Sequence, residues 1–155
     1  LKLINLIINI KLNIMNNKFL KSVLAGIVAT IAMTILMMIA AKLGMPKMDP
    51  PQLLATTMGV SVVIGWVMHF MIGIVFALIY AYIISGLLTK ISSILLKGVI
   101  FGIIAAVIAK VSMTVMSKMF DSMPEPSGNM LLALLGLVMG HILFGIVAVW
   151  IIDRK

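Results

Sequence analysis

Four stretches of mostly apolar residues, at 20–43, 60–85, 95–117 and 130–152, dictate what this chain can fold into. Spanning the hydrocarbon of a bilayer as a helix takes about 20 such residues, and lipid offers the backbone no other hydrogen-bond partner than itself. A soluble domain of 155 residues cannot hide an apolar share of 63% with only 10% charged residues, because most residues of a small domain touch water. The mean hydropathy of +1.28 agrees. The short alternating strands of a membrane β-barrel are absent. The sequence therefore predicts an all-α membrane protein of four transmembrane helices.

The chain also repeats itself. FLKSVLAGIVAT (19–30) lies over LLKGVIFGIIAA (95–106) at an offset of 76 residues, which aligns Lys21 with Lys97 and Gly26 with Gly102. The register continues through Met37 over Met113, Lys42 over Lys118, Asp49 over Glu125 and Pro50 over Pro126. At an offset of 72, His69-x3-Gly73-Ile74-Val75 lies over His141-x3-Gly145-Ile146-Val147. Matches of Lys, Gly, Pro and His in order carry the argument, since apolar residues match by chance. The expected organisation is a leader (1–14), a first helix hairpin (15–86) and a second (87–155). A hairpin copied whole enters the membrane in the same direction, so the repeat is parallel, with a pseudo-twofold axis along the membrane normal.

Orientation follows from basic residues near the span ends. Counted from Met15, Lys18, Lys21, Lys90, Lys97, Arg154 and Lys155 lie on one side, and Lys42, Lys47 and Lys118 on the other. That bias predicts both termini in the cytoplasm. Trp150, Tyr80 and Tyr82 fall toward the same side, where interfacial anchors belong. The formal charge of +8 reflects scarce acids and lysines spread over helix ends, so no nucleic-acid partner is expected. The partners expected are the lipid bilayer and either further copies of the chain or other subunits of a membrane complex.

Two segments outside the spans have their own character. LKLINLIINIKLNI (1–14) uses only Leu, Lys, Ile and Asn, residues of AT-rich codons, and Met15 opens a credible start, MNNKFLKS. It reads as translated upstream sequence or as an amphipathic interfacial segment. After the first span, MDPPQLLATTMG predicts a short surface helix, with Asp49 as cap, Pro50 at the first helical position, Gln52 completing a capping box and Gly59 as stop. The shorter second copy, PEPSGNMLL, should enter the fourth span directly.

Small residues four apart mark helix contacts, because in lipid close packing drives association. Ser22, Gly26 and Thr30 are mirrored by Gly98, Gly102 and Ala106. Gly65, His69, Gly73, Ala77, Ala81 and Ser85 form a longer stripe, and Gly145 follows His141 as Gly73 follows His69.

His69 and His141 are the candidate ligands. At aligned positions inside two spans, two neutral imidazoles can hold a haem b iron or another metal, pass protons, or hydrogen-bond a neighbouring helix and lock the fold. Fifteen methionines, among them Met33, Met37, Met45 and Met48 and then Met113, Met116, Met119 and Met123, suit either Cu(I) or flexible core filling. Lys110 lies about 20 Å along its helix from Lys97, with no acid in any span to pair with it; an intramembrane charge is either functional or snorkels to the surface.

The absence of cysteine excludes disulfides, thiolate metal sites and a cysteine nucleophile. There is no nucleotide loop, no HExxH and no intramembrane carboxylate pair, so no enzyme is expected. PKMDPPQLLATTMG (46–59) and GWVMHFMIGIVFALIYA (65–81), most clearly Met48-Asp49-Pro50 and Gly65-Trp66-x2-His69-Phe70, resemble a family of small bacterial multi-pass membrane proteins known only as a domain of unknown function. The resemblance covers most of 19–152 and implies a membrane location without an activity. Three classes follow: a structural or accessory helix-bundle subunit with no cofactor; a bis-His haem- or metal-binding redox subunit, with haem b or copper as the alternative cofactors; and a small transporter or channel acting as an oligomer.

Overall fold

No proline interrupts the four apolar stretches, and each becomes one helix. The computed structural model describes residues 2–120 and 128–154. In chain order it contains α1 (Lys2–Asn16), α2 (Lys18–Lys42), α3 (Pro50–Met58), α4 (Val62–Leu87), α5 (Ile94–Met119) and α6 (Met130–Asp153). The four long helices run 24 to 26 residues and are apolar enough to cross a membrane. Their outward faces expose residues such as Ile35, Val67, Val107 and Leu134, which suits hydrocarbon as solvent. The chain is an integral membrane protein.

Polar side chains set the helix starts. Asn17 accepts hydrogen bonds from the Phe19 and Leu20 amides, Ser93 from Leu96, and Asn129 from Leu131 and Leu132. The predicted short helix is α3: Asp49 accepts from the Gln52 amide, Pro50 and Pro51 fill the first turn, and Gly59 ends it at φ +65°. The capping box does not close, because the Gln52 side chain donates forward to Thr56 Oγ1. The segment 121–127, with Asp121, Met123 and Glu125, lies outside the described residues, and so does the proposed direct entry into the fourth span.

The long helices form a ring in the order α4, α2, α6, α5. Within each hairpin, glycine brings backbones into contact. A Cβ at Gly26 would stand 2.5 Å from Ile74 Cα, at Gly98 2.5 Å from Ile146 Cα, and at Gly102 2.5 Å from both His141 O and Ile142 Cα. Gly73 fits between Gly26 and Thr30, whereas Gly145 fits between Gly98 and Gly102. The two seams thus use aligned glycines one helical turn apart. The cause is visible in the sequence: Gly98 supplies a second notch where the first half has Ser22, whose hydroxyl is turned back to Lys18 O at 2.8 Å. Gly65 serves neither seam. Its missing side chain admits Pro51 O, so it seats α3 on α4.

The two hairpins meet differently on their two sides. Between α2 and α6, Met33 and Met37 lie over Gly140, and Met45 and Met48 over Gly136. On the other side aromatic rings fill the gap: Tyr80 to Phe101 at 5.0 Å, Phe101 to Phe144 at 6.1 Å and Phe76 to Phe144 at 6.3 Å between centroids. Glycine permits the close side and the rings hold the other apart. That difference breaks the expected equivalence of the two sides.

Candidate functional site

His69 and His141 are both buried, at 6% and 9% exposure, in the half of the bundle nearer α3. The Thr34 hydroxyl donates to Thr30 O at 2.8 Å, so the His69 Nε2 contact with Thr34 Oγ1, at 3.4 Å, is assigned as ring to hydroxyl. This ties α4 to α2. Trp66 meets the same ring edge-on at 6.3 Å. The His141 Nδ1 lies 2.8 Å from Leu137 O, which can only accept, so Nδ1 carries a proton, and in the neutral ring Nε2 does not. This bond stays within α6 instead of reaching the neighbouring helix that the sequence suggested. No group of three or more His, Asp or Glu gathers around a common point among the described residues.

The other singled-out residues separate. Met33, Met37, Met45 and Met48 converge along α6, while Met113 and Met116 are half-buried and Met119 exposed on α5. Lys110 is exposed at the edge of a small apolar groove of about 200 Å³ between α5 and α6, beside Val107, Leu134 and Leu137. In the long stripe, Ala77 and Ala81 are buried with the glycines, but Ser85 is only half-buried and its hydroxyl donates to Ala81 O at 2.7 Å.

The densest polar arrangement is at the opposite end, where the described chain enters α2 and leaves α6. Asp153 Oδ2 accepts from Lys97 Nζ at 2.9 Å and from the Tyr80 hydroxyl at 2.9 Å. The Lys21 ammonium donates to the carbonyl of Arg154. Side chains from α2, α4 and α5 therefore converge on the end of α6. Lys97 and Asp153 are 17% and 18% exposed, and Tyr80 is wholly buried.

Tyr80 is accordingly no interfacial anchor. Residues four apart in an α-helix drift by about 40° per step, which would carry the stripe of α4 off its seam. The turn Tyr80–Ile84 is instead π-helical, the wide form that appears as single-turn bulges, and it keeps Tyr80, Ala81 and Ile84 all inside. Tyr82 stays exposed, with Lys18 Nζ 4.8 Å from its ring centre. Trp150 is half-exposed beneath the Arg154 guanidinium at 4.7 Å. The junction has a sequence signal, though it forms no motif. Asp153 is the acid nearest to Lys18, Lys21, Lys90, Lys97 and Arg154 once the spans are folded back on one another.

A family model described as a family of unknown function (DUF6789) matches residues 16–155. No curated protein and no solved structure matches the chain.

Proposed function

Since the chain belongs to this family of unknown function, its own residues have to carry any assignment, and we propose that it is a non-catalytic structural or accessory subunit of the bacterial inner membrane. The observation behind this reading is where the interior polar groups go. No wholly buried side-chain nitrogen or oxygen among the described residues lacks a hydrogen-bond partner. Ser22, Thr30 and His141 bond carbonyls one turn back in their own helices, and His69, Tyr80 and Lys97 bond other helices, so the fold itself engages the interior polar groups.

Replacing His69 and His141 by Gln, singly and together, should leave the protein folded, with stability changed by no more than about 1–2 kcal/mol in detergent unfolding. His141→Leu should cost more than His141→Gln, because Leu137 O then loses its donor. The second reading, a bis-His haem or copper subunit, is favoured by one feature. His141 gives Nδ1–H to a backbone carbonyl and keeps Nε2 free, as metal-ligating histidines do. An absorption band or bound metal that either Gln substitution abolishes in a folded protein would replace the structural reading with this one.

The same proposal includes duplication of a hairpin and cytoplasmic termini. Duplication is supported by the ordered Lys, Gly, Pro and His matches and by the seam glycines at aligned positions. The topology is supported by six basic residues against three. Reporter fusions after Lys155 and within 88–93 should read cytoplasmic, and fusions within 44–49 external. A periplasmic reading after Lys155 would reverse the orientation.

A further inference from the structure

A cavity of about 550 Å³ opens beside the polar junction, lined by Ser85, Ser92, Ile94, Lys97, Asp153 and Arg154. It lies where α4 and α6 end and α5 begins, at the level where spans leave hydrocarbon for headgroups. Its one carboxylate is already engaged, since Lys97 and Tyr80 share a single oxygen of Asp153. Lys97 retains two further N–H donors. The Arg154 guanidinium stacks on Trp150 and forms no ion pair among the described residues. Ser93 caps the Leu96 amide, which leaves the Ile94 and Leu95 amides without an acceptor inside the helix. Around this opening the described chain carries Lys18, Lys21 and Lys90 and no second acid.

We propose that this cavity binds a phosphate group presented by the headgroup of an anionic phospholipid. Arg154 supplies the planar fork of donors that matches phosphate oxygens, Lys97 and Ser92 line the same cavity, and α5 begins beside it with Ile94 in its lining. Leu87, close in the chain to Ser85, and Leu95, next to Ile94, stand exposed at the end of α4 and the start of α5 and offer acyl chains an apolar path. The proposal is independent of the structural reading above and of the leaflet concerned.

Full-length protein in nanodiscs tests it, with retained lipid read by native mass spectrometry and stability by thermal melting. Phosphatidylglycerol should be retained in preference to phosphatidylcholine and should raise the melting temperature. Arg154→Gln with Ser92→Ala removes the two groups that hold no helix in place, since the Arg154 carbonyl bound by Lys21 is kept. That pair should lower phosphatidylglycerol retention by about fivefold while leaving melting in phosphatidylcholine unchanged. Lys42→Gln with Lys118→Gln, at the opposite end, should not lower it. Equal retention of the two lipids, or an equal loss in both double variants, would overturn the site. Inorganic phosphate added to phosphatidylcholine discs should not stabilise the protein. Stabilisation that depends on Arg154 and Ser92 would keep the phosphate site and overturn the headgroup as its source.

Discussion

Asp153→Ala should destabilise the bundle by about 2–3 kcal/mol in detergent unfolding, more than the loss of any other single polar side chain. The substitution removes the acceptor shared by Lys97 and Tyr80 and leaves a mostly buried ammonium and a wholly buried hydroxyl unpaired. The figure sits below that for a fully buried pair because both charged side chains keep some exposure and some screening. Tyr80→Phe alone should cost about 1 kcal/mol. In the Asp153→Ala background the same change should cost nothing or recover stability, because it removes an orphaned hydroxyl. Additive losses would mean that Tyr80 and Asp153 do not act as one unit. A loss under about 0.5 kcal/mol for Asp153→Ala would mean that interfacial water already screens the junction.

Gly145→Ala should part α5 from α6 and cost about 3 kcal/mol, the upper part of the range for overpacking. Its added methyl would stand 2.3 Å from Gly98 O and 2.6 Å from Gly102 N. Both are backbone atoms of a packed helix and cannot rotate away, so the helices themselves have to move. Gly140→Ala meets the Met37 Cε at 2.9 Å and Met33 Cγ at 3.3 Å, and flexible thioether chains can give way. Gly86→Ala meets nothing within 4 Å and should be neutral or gain up to about 1 kcal/mol from helix propensity. Unfolding of the three variants in one detergent gives the ranking. Equal costs at Gly145 and Gly140 would show that the α5–α6 seam relaxes as readily as the methionine side.

The spans and α3 were legible because length, apolarity and capping are local properties of the chain. Partners were harder to read. Gly65 shares the spacing of the seam glycines, yet its neighbour is Pro51 of α3, and no periodicity distinguishes a long helix from a short one as the occupant of a notch. Tyr80 near a span end reads as an anchor because interfacial and inward-facing tyrosines look alike in sequence. The π turn decides between them, and four-residue spacing does not reveal it. Lys97 and Asp153 are remote in the chain, so only the folded helices bring them together. The position of both histidines inside spans follows from sequence, but the His141 bond to its own helix depends on a ring orientation that spacing does not fix.

The short side-chain bonds from one span to another gather at the Asp153 end, while toward α3 the 3.4 Å His69–Thr34 contact is joined by Gly136 and Gly140 packed against thioethers. A bundle tied at one end behaves like a pair of tongs, and a small loss of packing gives its largest displacement at the free tips. Spreading the tips exposes helix faces to acyl chains instead of water, so the resisting force is lost packing and not the hydrophobic effect. The resting spread is then set in part by the bilayer itself. Lateral pressure and a hydrocarbon thickness mismatched to the spans are accommodated by tilt at the α3 end, with the Asp153 end as the pivot.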